Sequence, residues 1–444
     1  MPSTTPTASC RARVPEPAPV VSAFVASPEP FKAPIGTRDI LPPESGRWTR
    51  LLAEFAQVMH LAGYGFIQTP MFEDIAVFRP VGEGTDVVSK EMYDFFDKGE
   101  RHLALRPEGT ASVVRAFNQH HPNVPWKVWY AGPNFRYEKP QAGRFRQHHQ
   151  LGAECIGVSD PDIDVELMVL LWDFFCTIGL SGLRLSINSI GDLETRHGYY
   201  EHLRAYLDAR RDSLDPEDRR KIDQHPMRVL DSKRPDTREA IADAPTLLDV
   251  MSGVSRAHFE RVRNGLAAAG VPFEIEPRLV RGLDYYTHTV FEIQSPALES
   301  AQSAIGGGGR YDGLAEALGG KAAPGTGFAA GIERILLACD AEGVFAEKGV
   351  HLDAFVVDLG DGSAARDVSA GLRRAGLSVD RAFDARSPKA QMKAANRSGA
   401  RFALIIGEDE LAAGMVTLKD LRSDVQQELV PRENLADELR KRLS

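Results

Sequence analysis

Cysteine is scarce in this chain of 444 residues: Cys10, Cys155, Cys176 and Cys339 occur singly, with no CxxC pair. That spacing argues against a disulfide framework or a cysteine-rich zinc site and fits a reducing cytosol. Long apolar runs are missing too. None approaches the roughly eighteen residues of a membrane span, and the N-terminus lacks the charged-then-apolar order of a secretory signal. The expectation is a cytoplasmic protein without a membrane partner. A basic excess is also absent: 53 Lys and Arg stand against 62 Asp and Glu. Nucleic-acid proteins are more often basic overall, but phosphate contacts need only a local patch. Residues 351–444 carry fifteen basic and fifteen acidic side chains, so the whole acidic surplus lies in the first 350. This balance permits nucleic-acid binding without demanding it.

What is present reads as a globular protein of two or three domains, with 43% hydrophobic and 26% charged residues. Residues 1–32 are rich in Pro, Ser, Thr and Ala without hydrophobic periodicity, which predicts a disordered tail. Trp48, Leu51, Leu52, Phe55, Val58, Met59 and Ala62 then recur at three- and four-residue spacing, one apolar face of a helix that Gly63 is placed to stop. Phe66-Ile67-Gln68-Thr69-Pro70 reads as a short strand. Leu183, Leu185 and Ile187 alternate with Arg184, Ser186 and Asn188, and Phe273/Ile275 and Val128/Tyr130 repeat the pattern. Such alternation predicts a mainly antiparallel sheet with one face covered. Residues 192–270 are charged and strand-poor and read as a helical insertion. Beyond residue 350, the buried-strand runs Ala354-Phe355-Val356-Val357 and Phe402-Ala403-Leu404-Ile405-Ile406 flank helical stretches. That alternation predicts a separate α/β domain over 350–444, after a hinge near Gly343 and Gly349.

Five segments concentrate chemistry. Leu105-Arg106-Pro107-Glu108-Gly109-Thr110 follows a strand expected at 101–105 and offers a carboxylate and a hydroxyl to an ammonium group; a polar turn capping a helix at Thr110 accounts for the same residues. Phe135-Arg136-Tyr137-Glu138-Lys139-Pro140-Gln141-Ala142-Gly143-Arg144-Phe145-Arg146 packs cations around a Pro/Gly turn and runs into Gln150 and Glu154. Guanidinium forks match phosphate oxygens, so an Arg-studded loop between strands is a natural phosphate clamp; a solvated hairpin is the plainer reading. Arg281-Gly282-Leu283-Asp284-Tyr285-Tyr286 offers a fixed charge and an aromatic wall, and Gly306-Gly307-Gly308-Gly309-Arg310-Tyr311-Asp312 lets backbone approach a ligand. No Gly-Lys-Ser/Thr follows, so it is no P-loop. Gly325-Thr326-Gly327-Phe328-Ala329-Ala330-Gly331 has the wrong spacing for a dinucleotide fingerprint; it reads as a strand entering a helix that presents Arg334. His120-His121 and His148-His149 are adjacent pairs whose side chains diverge on a strand, so no metal is assigned to them.

Together these segments resemble the class II aminoacyl-tRNA synthetases, specifically the histidyl-tRNA synthetase family. The helix and strand ending at Pro70 are similar to motif 1, Phe135 to Glu154 to motif 2 and its loop, and Gly327 to Arg334 to motif 3. The Arg281 and Gly308-Gly309-Arg310-Tyr311-Asp312 segments resemble two signatures peculiar to the histidine enzymes. The resemblance covers about residues 33–444. It implies an α+β catalytic domain over 33–340, with a mixed, mostly antiparallel sheet flanked by helices, and a C-terminal anticodon-binding α/β domain. It also implies a homodimer using L-histidine, ATP with Mg2+, and a histidine tRNA.

In that chemistry a carboxylate attacks the α-phosphorus and pyrophosphate leaves, so catalysis is positioning and charge stabilisation. The resemblance puts Arg136 and Arg281 on the α-phosphate as the catalytic pair, Arg281 also on the histidine carboxylate, and Glu138 and Arg334 on ATP. Arg334 lies against adenine and reaches the γ-phosphate, and magnesium neutralises the leaving pyrophosphate. Glu154 and Tyr286 take the imidazole, Glu108, Gly109, Thr110 and Gln150 surround the amino group, and Tyr285 and Tyr311 form walls. Lys139, Gln141, Arg144 and Arg146 meet the acceptor end of the tRNA, with Lys139 where many members carry Arg. A rival reading is a paralogue like the regulatory subunit of ATP phosphoribosyltransferase, which binds histidine without charging tRNA. That paralogue lacks the anticodon domain and has eroded signatures; here Arg136, Glu154, Arg281 and Arg334 and about ninety further residues are present. A non-catalytic tRNA-binding or kinase-regulating module would have no use for cations converging on a phosphate.

Overall fold

The computed structural model describes residues 30–444 apart from 83–84, 142, 224–225, 231, 300–302, 348–351, 384–385 and 424–425. The predicted tail, Ala142 of the Arg-rich loop and Gly349 of the expected hinge therefore lie outside the described residues.

The first helix, α1 (Glu44–Leu61), buries Trp48, Leu51, Phe55 and Met59, the stripe anticipated from spacing. Gly63 follows with φ +79°, a left-handed conformation that a side chain rarely adopts. The expected strand over 66–70 is reduced to β1 (Gly65–Phe66), which pairs in parallel with the edge of the main sheet before the chain turns away. A small antiparallel sheet follows, of β2 (Phe72–Asp74), β3 (Asp94–Phe96) and β4 (His102–Leu105), in the order β2-β4-β3. Helix α2 (Thr110–His120) starts directly after it.

The main sheet adds β5 (Trp126–Phe135), β6 (Gln147–Ile156), β7 (Arg184–Ser189), β8 (Glu274–Ile275), β9 (Thr287–Gln294), β10 (Ala304–Arg310) and β11 (Gly325–Gly331). Their order is β1-β5-β6-β11-β10-β9-β7-β8, parallel only at the two ends and antiparallel between. On one face α1, α3 (Asp162–Thr177) and α6 (Ile332–Glu342) pack a core containing Phe55, Leu171, Phe174, Phe328 and Ile335. The other face is covered as well, which corrects the one-sided sheet expected from alternation. Ser186 and Asn188, read as the uncovered side, are buried. The Ser186 hydroxyl donates to Glu274, and the Asn188 amide donates to the carbonyls of Pro277 and Leu279. Polar alternation here marks hydrogen-bonded burial rather than solvent.

The insertion is helical among its described residues, from α4 (Leu193–Asp208) to α5 (Gly253–Ala268) with short helical turns between. Leu203, Leu207 and Ile241 join a second core that also holds Tyr130 and Val290, while Phe259 and Val262 of α5 join the one beneath α1, α3 and α6. Beyond residue 351, β12 (Ala354–Asp358), α7 (Ser363–Arg374), β13 (Val379–Arg381), α8 (Pro388–Arg397), β14 (Phe402–Ile406), β15 (Met415–Asp420), β16 (Glu428–Pro431) and α9 (Leu435–Leu443) form a five-stranded sheet. Its order is β13-β12-β14-β15-β16, parallel across the first three strands, with separate apolar clusters around Val356 and Val357. Among the described residues no helix is long and apolar enough to cross a membrane.

Candidate active site

Strands β5, β6, β9, β10 and β11 carry the chemistry-bearing segments to one cleft. Its walls include Glu108, Thr110, Arg136, Glu138, Arg144, Gln150, Arg281, Tyr285, Tyr286, Tyr311 and Arg334. Gly109, Lys139, Gln141, Arg146 and Glu154, also expected at the site, are not on its wall.

The cations arrive by different routes. Arg136, at the end of β5, is steered by its Nε donating to the Pro107 carbonyl at 2.9 Å. Arg281 precedes β9 and pairs through Nη1 with Glu292 at 2.6 Å, while its Nε is buried with no hydrogen-bond partner among the described residues. Arg334, in the first turn of α6, donates to the Ala304 carbonyl at 3.0 Å. Burial depresses the Arg334 pKa, and the guanidinium of Arg144 lowers it further. The cleft therefore concentrates positive charge and gains from an anionic ligand.

Glycines make room for this arrangement. A Cβ on Gly307 would stand 2.6 Å from the Phe291 carbonyl oxygen and 3.0 Å from Arg281 Nη1. We predict that Gly307→Ala shifts β10 and the guanidinium, costing about 1–3 kcal/mol of stability. If Arg281 serves the reaction proposed below, turnover should also fall by roughly tenfold to a hundredfold. Thermal melting beside steady-state kinetics checks this; wild-type turnover would refute the packing argument.

At the inner end, Glu154 is fully buried on β6. Its Oε1 accepts from Thr110 Oγ1 at 2.7 Å and from the Tyr130 hydroxyl at 3.2 Å, and its Oε2 accepts from the Tyr311 hydroxyl at 2.7 Å. Burial lifts its pKa to about 8, opposed by the hydroxyls of Tyr311 and Thr110. Glu108 accepts from the backbone N–H of Thr110 and Ala111, both at 2.7 Å, so it caps α2 while lining the cleft. The capping reading of this segment holds, with Glu108 as the capping side chain instead of Thr110. Gly109 faces the Tyr130 ring instead of the cleft. Gln150 accepts from the Asn134 amide at 2.6 Å.

The Arg-rich loop turns tightly where Gln141 and Arg144 exchange backbone hydrogen bonds and Gly143 takes φ +67°. Lys139 and Gln141 are exposed at its tip. Arg144 pairs with Glu138 at 2.8 Å, and Arg146 stacks 3.9 Å from the Tyr137 ring centre.

Sequence reasoning missed three residues here. His148 lines the cleft, and burial together with the Arg136 charge depresses its pKa well below the usual imidazole value, so it stands neutral. His149 is bonded to Glu333 at 2.9 Å instead, so the two rings share no ligand. Glu292 supplies the counter-charge of Arg281, and Tyr130 the third hydroxyl on Glu154. The period-two pattern of Val128 and Tyr130 carried the facing of Tyr130 but not its partner.

A family model described as histidyl-tRNA synthetase matches residues 36–335, and one described as an anticodon binding domain matches residues 353–442. A Histidine–tRNA ligase of Rhodococcus erythropolis is 48% identical over 415 residues, spanning 92% of this chain and 97% of the relative. One of Corynebacterium kroppenstedtii is 46% identical over 425 residues, spanning 94% and 99%. The apo histidyl-tRNA synthetase structure of S. aureus superposes with a TM-score of 0.78 at 36% identity, covering 92% of this chain and 99% of that one. Its sheet order, its cleft and these matches agree: the chain belongs to the histidyl-tRNA synthetase family.

Proposed function

We propose that this chain activates L-histidine with ATP and transfers it to the 3′ end of a histidine tRNA, with Arg136 and Arg281 as the catalytic cations. The observation that carries the reading is the convergence of Arg136, Arg281 and Arg334 on one cleft, with a buried carboxylate, Glu154, bonded to the hydroxyls of the wall residues Thr110 and Tyr311. A histidine carboxylate oxygen attacks the α-phosphorus, the bond to the bridging oxygen breaks, and pyrophosphate leaves. Arg136 and Arg281 stabilise charge on the α-phosphate oxygens, and Arg281 also orients the attacking carboxylate. Arg334 lies against adenine and reaches the γ-phosphate, with Glu138 beside it. A ribose hydroxyl of the tRNA terminus then attacks the carbonyl carbon, and AMP departs.

Histidine is selected by Glu154 and Tyr286 facing its ring nitrogens, since a substrate without them leaves buried groups unpaired. Glu108, Thr110 and Gln150 take the amino group, and Tyr285 and Tyr311 enclose the ring. Among the described residues no group of three or more His, Cys, Asp or Glu side chains is arranged to hold a metal. Magnesium, bound with ATP, would neutralise charge on the leaving pyrophosphate.

Residues 33–340 form the catalytic unit and 350–444 the anticodon-binding unit. Lys139, Gln141, Arg144 and Arg146 meet the acceptor end of the tRNA. A homodimer is supported by Phe66, Phe72 and Phe96, more than half exposed on β1 and the small sheet. A cytoplasmic location is supported by the sparse cysteines and the lack of any CxxC pair. The test is exchange of pyrophosphate into ATP: it should require histidine and fail with other amino acids. Equal exchange with a second amino acid would refute the specificity. Histidine binding without exchange would favour the regulatory paralogue, which the intact arginine set and the C-terminal domain match disfavour.

A further inference from the structure

The Tyr130 hydroxyl takes no part in the steps above, yet the backbone around it is shaped to hold it. Tyr130 is buried on β5, opposite Gly152 of β6, and does not reach the cleft wall. Its ring occupies a slot that two glycines leave open. A Cβ on Gly109 would lie 2.5 Å from the ring, and one on Gly152 would lie 2.4 Å from it. Glycine inside a strand weakens the strand, so placing this ring costs local stability. At the bottom of the slot the hydroxyl donates to Glu154 Oε1 at 3.2 Å.

The three hydroxyls around Glu154 differ in access. Those of Thr110 and Tyr311 belong to residues of the cleft wall, where a ligand can turn them. That of Tyr130 is buried off the cleft wall, on a ring held between Gly109 and Gly152.

We infer that Tyr130 is a positioning residue for histidine specificity: its hydroxyl holds the Glu154 carboxylate in place to accept an imidazole N–H when Thr110 and Tyr311 turn toward substrate. The inference rests on the reading of Glu154 as the imidazole acceptor. A hydrogen bond donated to the charged form favours that form, so Tyr130 also keeps Glu154 ionised nearer neutral pH against its burial. Without the hydroxyl, the carboxylate loses one restraint and a larger fraction of it is protonated at a given pH.

Tyr130→Phe is the direct test, because the phenyl ring still fills the glycine slot and two hydroxyls still reach Glu154. In pyrophosphate exchange the KM for histidine should rise about tenfold, the worth of one hydrogen bond to a charged group. The KM for ATP and kcat should stay near wild type, and the fall of the histidine KM with rising pH should move to higher pH. Preference for histidine over thienylalanine, a near-isostere without a ring N–H, should narrow by a similar factor. Isothermal calorimetry in buffers of different ionisation heat adds a readout independent of turnover: the variant should release more protons on binding histidine. Wild-type histidine KM, pH profile and proton release in Tyr130→Phe would overturn the inference and leave the proposed function standing. An equal fall in kcat/KM for histidine and for ATP, with a lowered melting point, would overturn it too, in favour of a packing role. Absence of histidine-dependent exchange in the unsubstituted chain would instead remove the reading beneath it.

Discussion

Arg281→Ala should reduce histidine-dependent pyrophosphate exchange by roughly two to three orders of magnitude, the usual consequence of deleting a preorganised donor aimed at developing charge. Its melting point should stay within a few degrees of wild type. Arg281 Nη1 lies 2.6 Å from Glu292, so its removal has two effects on the phosphate. One fixed positive charge disappears, and the Glu292 carboxylate is left on the cleft wall to repel the α-phosphate. Glu292 keeps a hydrogen bond from Gln294 at 2.8 Å, which is why the fold should tolerate the change. Arg281→Lys should recover little, since an ammonium is a point charge and cannot present two parallel N–H groups. Exchange kinetics on the three proteins decide the matter. Retention of wild-type exchange by Arg281→Ala within tenfold would remove Arg281 from the reaction.

The second large effect is on stability. Asp164→Ala should cost about 3–5 kcal/mol, as breaking a buried ion pair on one side does. Arg310 is 1% exposed. Its guanidinium donates to Asp164 from Nε at 3.2 Å and from Nη2 at 2.8 Å, and its other bonds go to Asp312 and to the carbonyls of Val158 and Asp160. His258 of α5 and Thr289 of β9 also reach Asp164, at 2.8 and 2.9 Å. One carboxylate thus ties α3, the last helix of the insertion and two strands of the sheet together. Burial alone would raise its pKa, but the His258 hydrogen bond and the charge and bonds of Arg310 hold it below the ordinary carboxyl value. A depressed acid contributes stability that is complete above its unfolded pKa and lost as pH falls through the folded value. The gap between wild type and Asp164→Ala should therefore be full at neutral pH and close only in strong acid. Denaturant unfolding across pH measures it; equal midpoints at pH 7 would refute the assignment.

Arg281 and Arg310 show how far linear reading reaches. Both are arginines beside glycine in segments resembling the histidine family, and nothing local distinguishes them. Arg281 faces the cleft, whereas Arg310 is sealed behind it and acts as a structural clamp. The difference arises because β10 presents Arg310 to Asp164, a residue 146 positions away. Glu154 is a similar case. Its place on a strand was legible, but its three hydroxyl partners come from β5, α2 and the turn after β10. The alternation of residues 183–188 fixed which side chains share a face. It could not show that the polar face is buried too, because covering it requires packing from distant chain.

Periodicity along the chain established the elements themselves: the stripe of α1, the glycine that stops it, the strand-poor insertion and the changed texture beyond residue 350. Those features depend on contacts within a few residues, which spacing encodes directly. Residue types in family order pointed to histidine, ATP and tRNA. Which arginine meets a phosphate and which holds the fold, and how Glu154 is held, depend on strands brought side by side in the order β5-β6-β11-β10-β9. That order is a property of long-range pairing, and local spacing does not carry it.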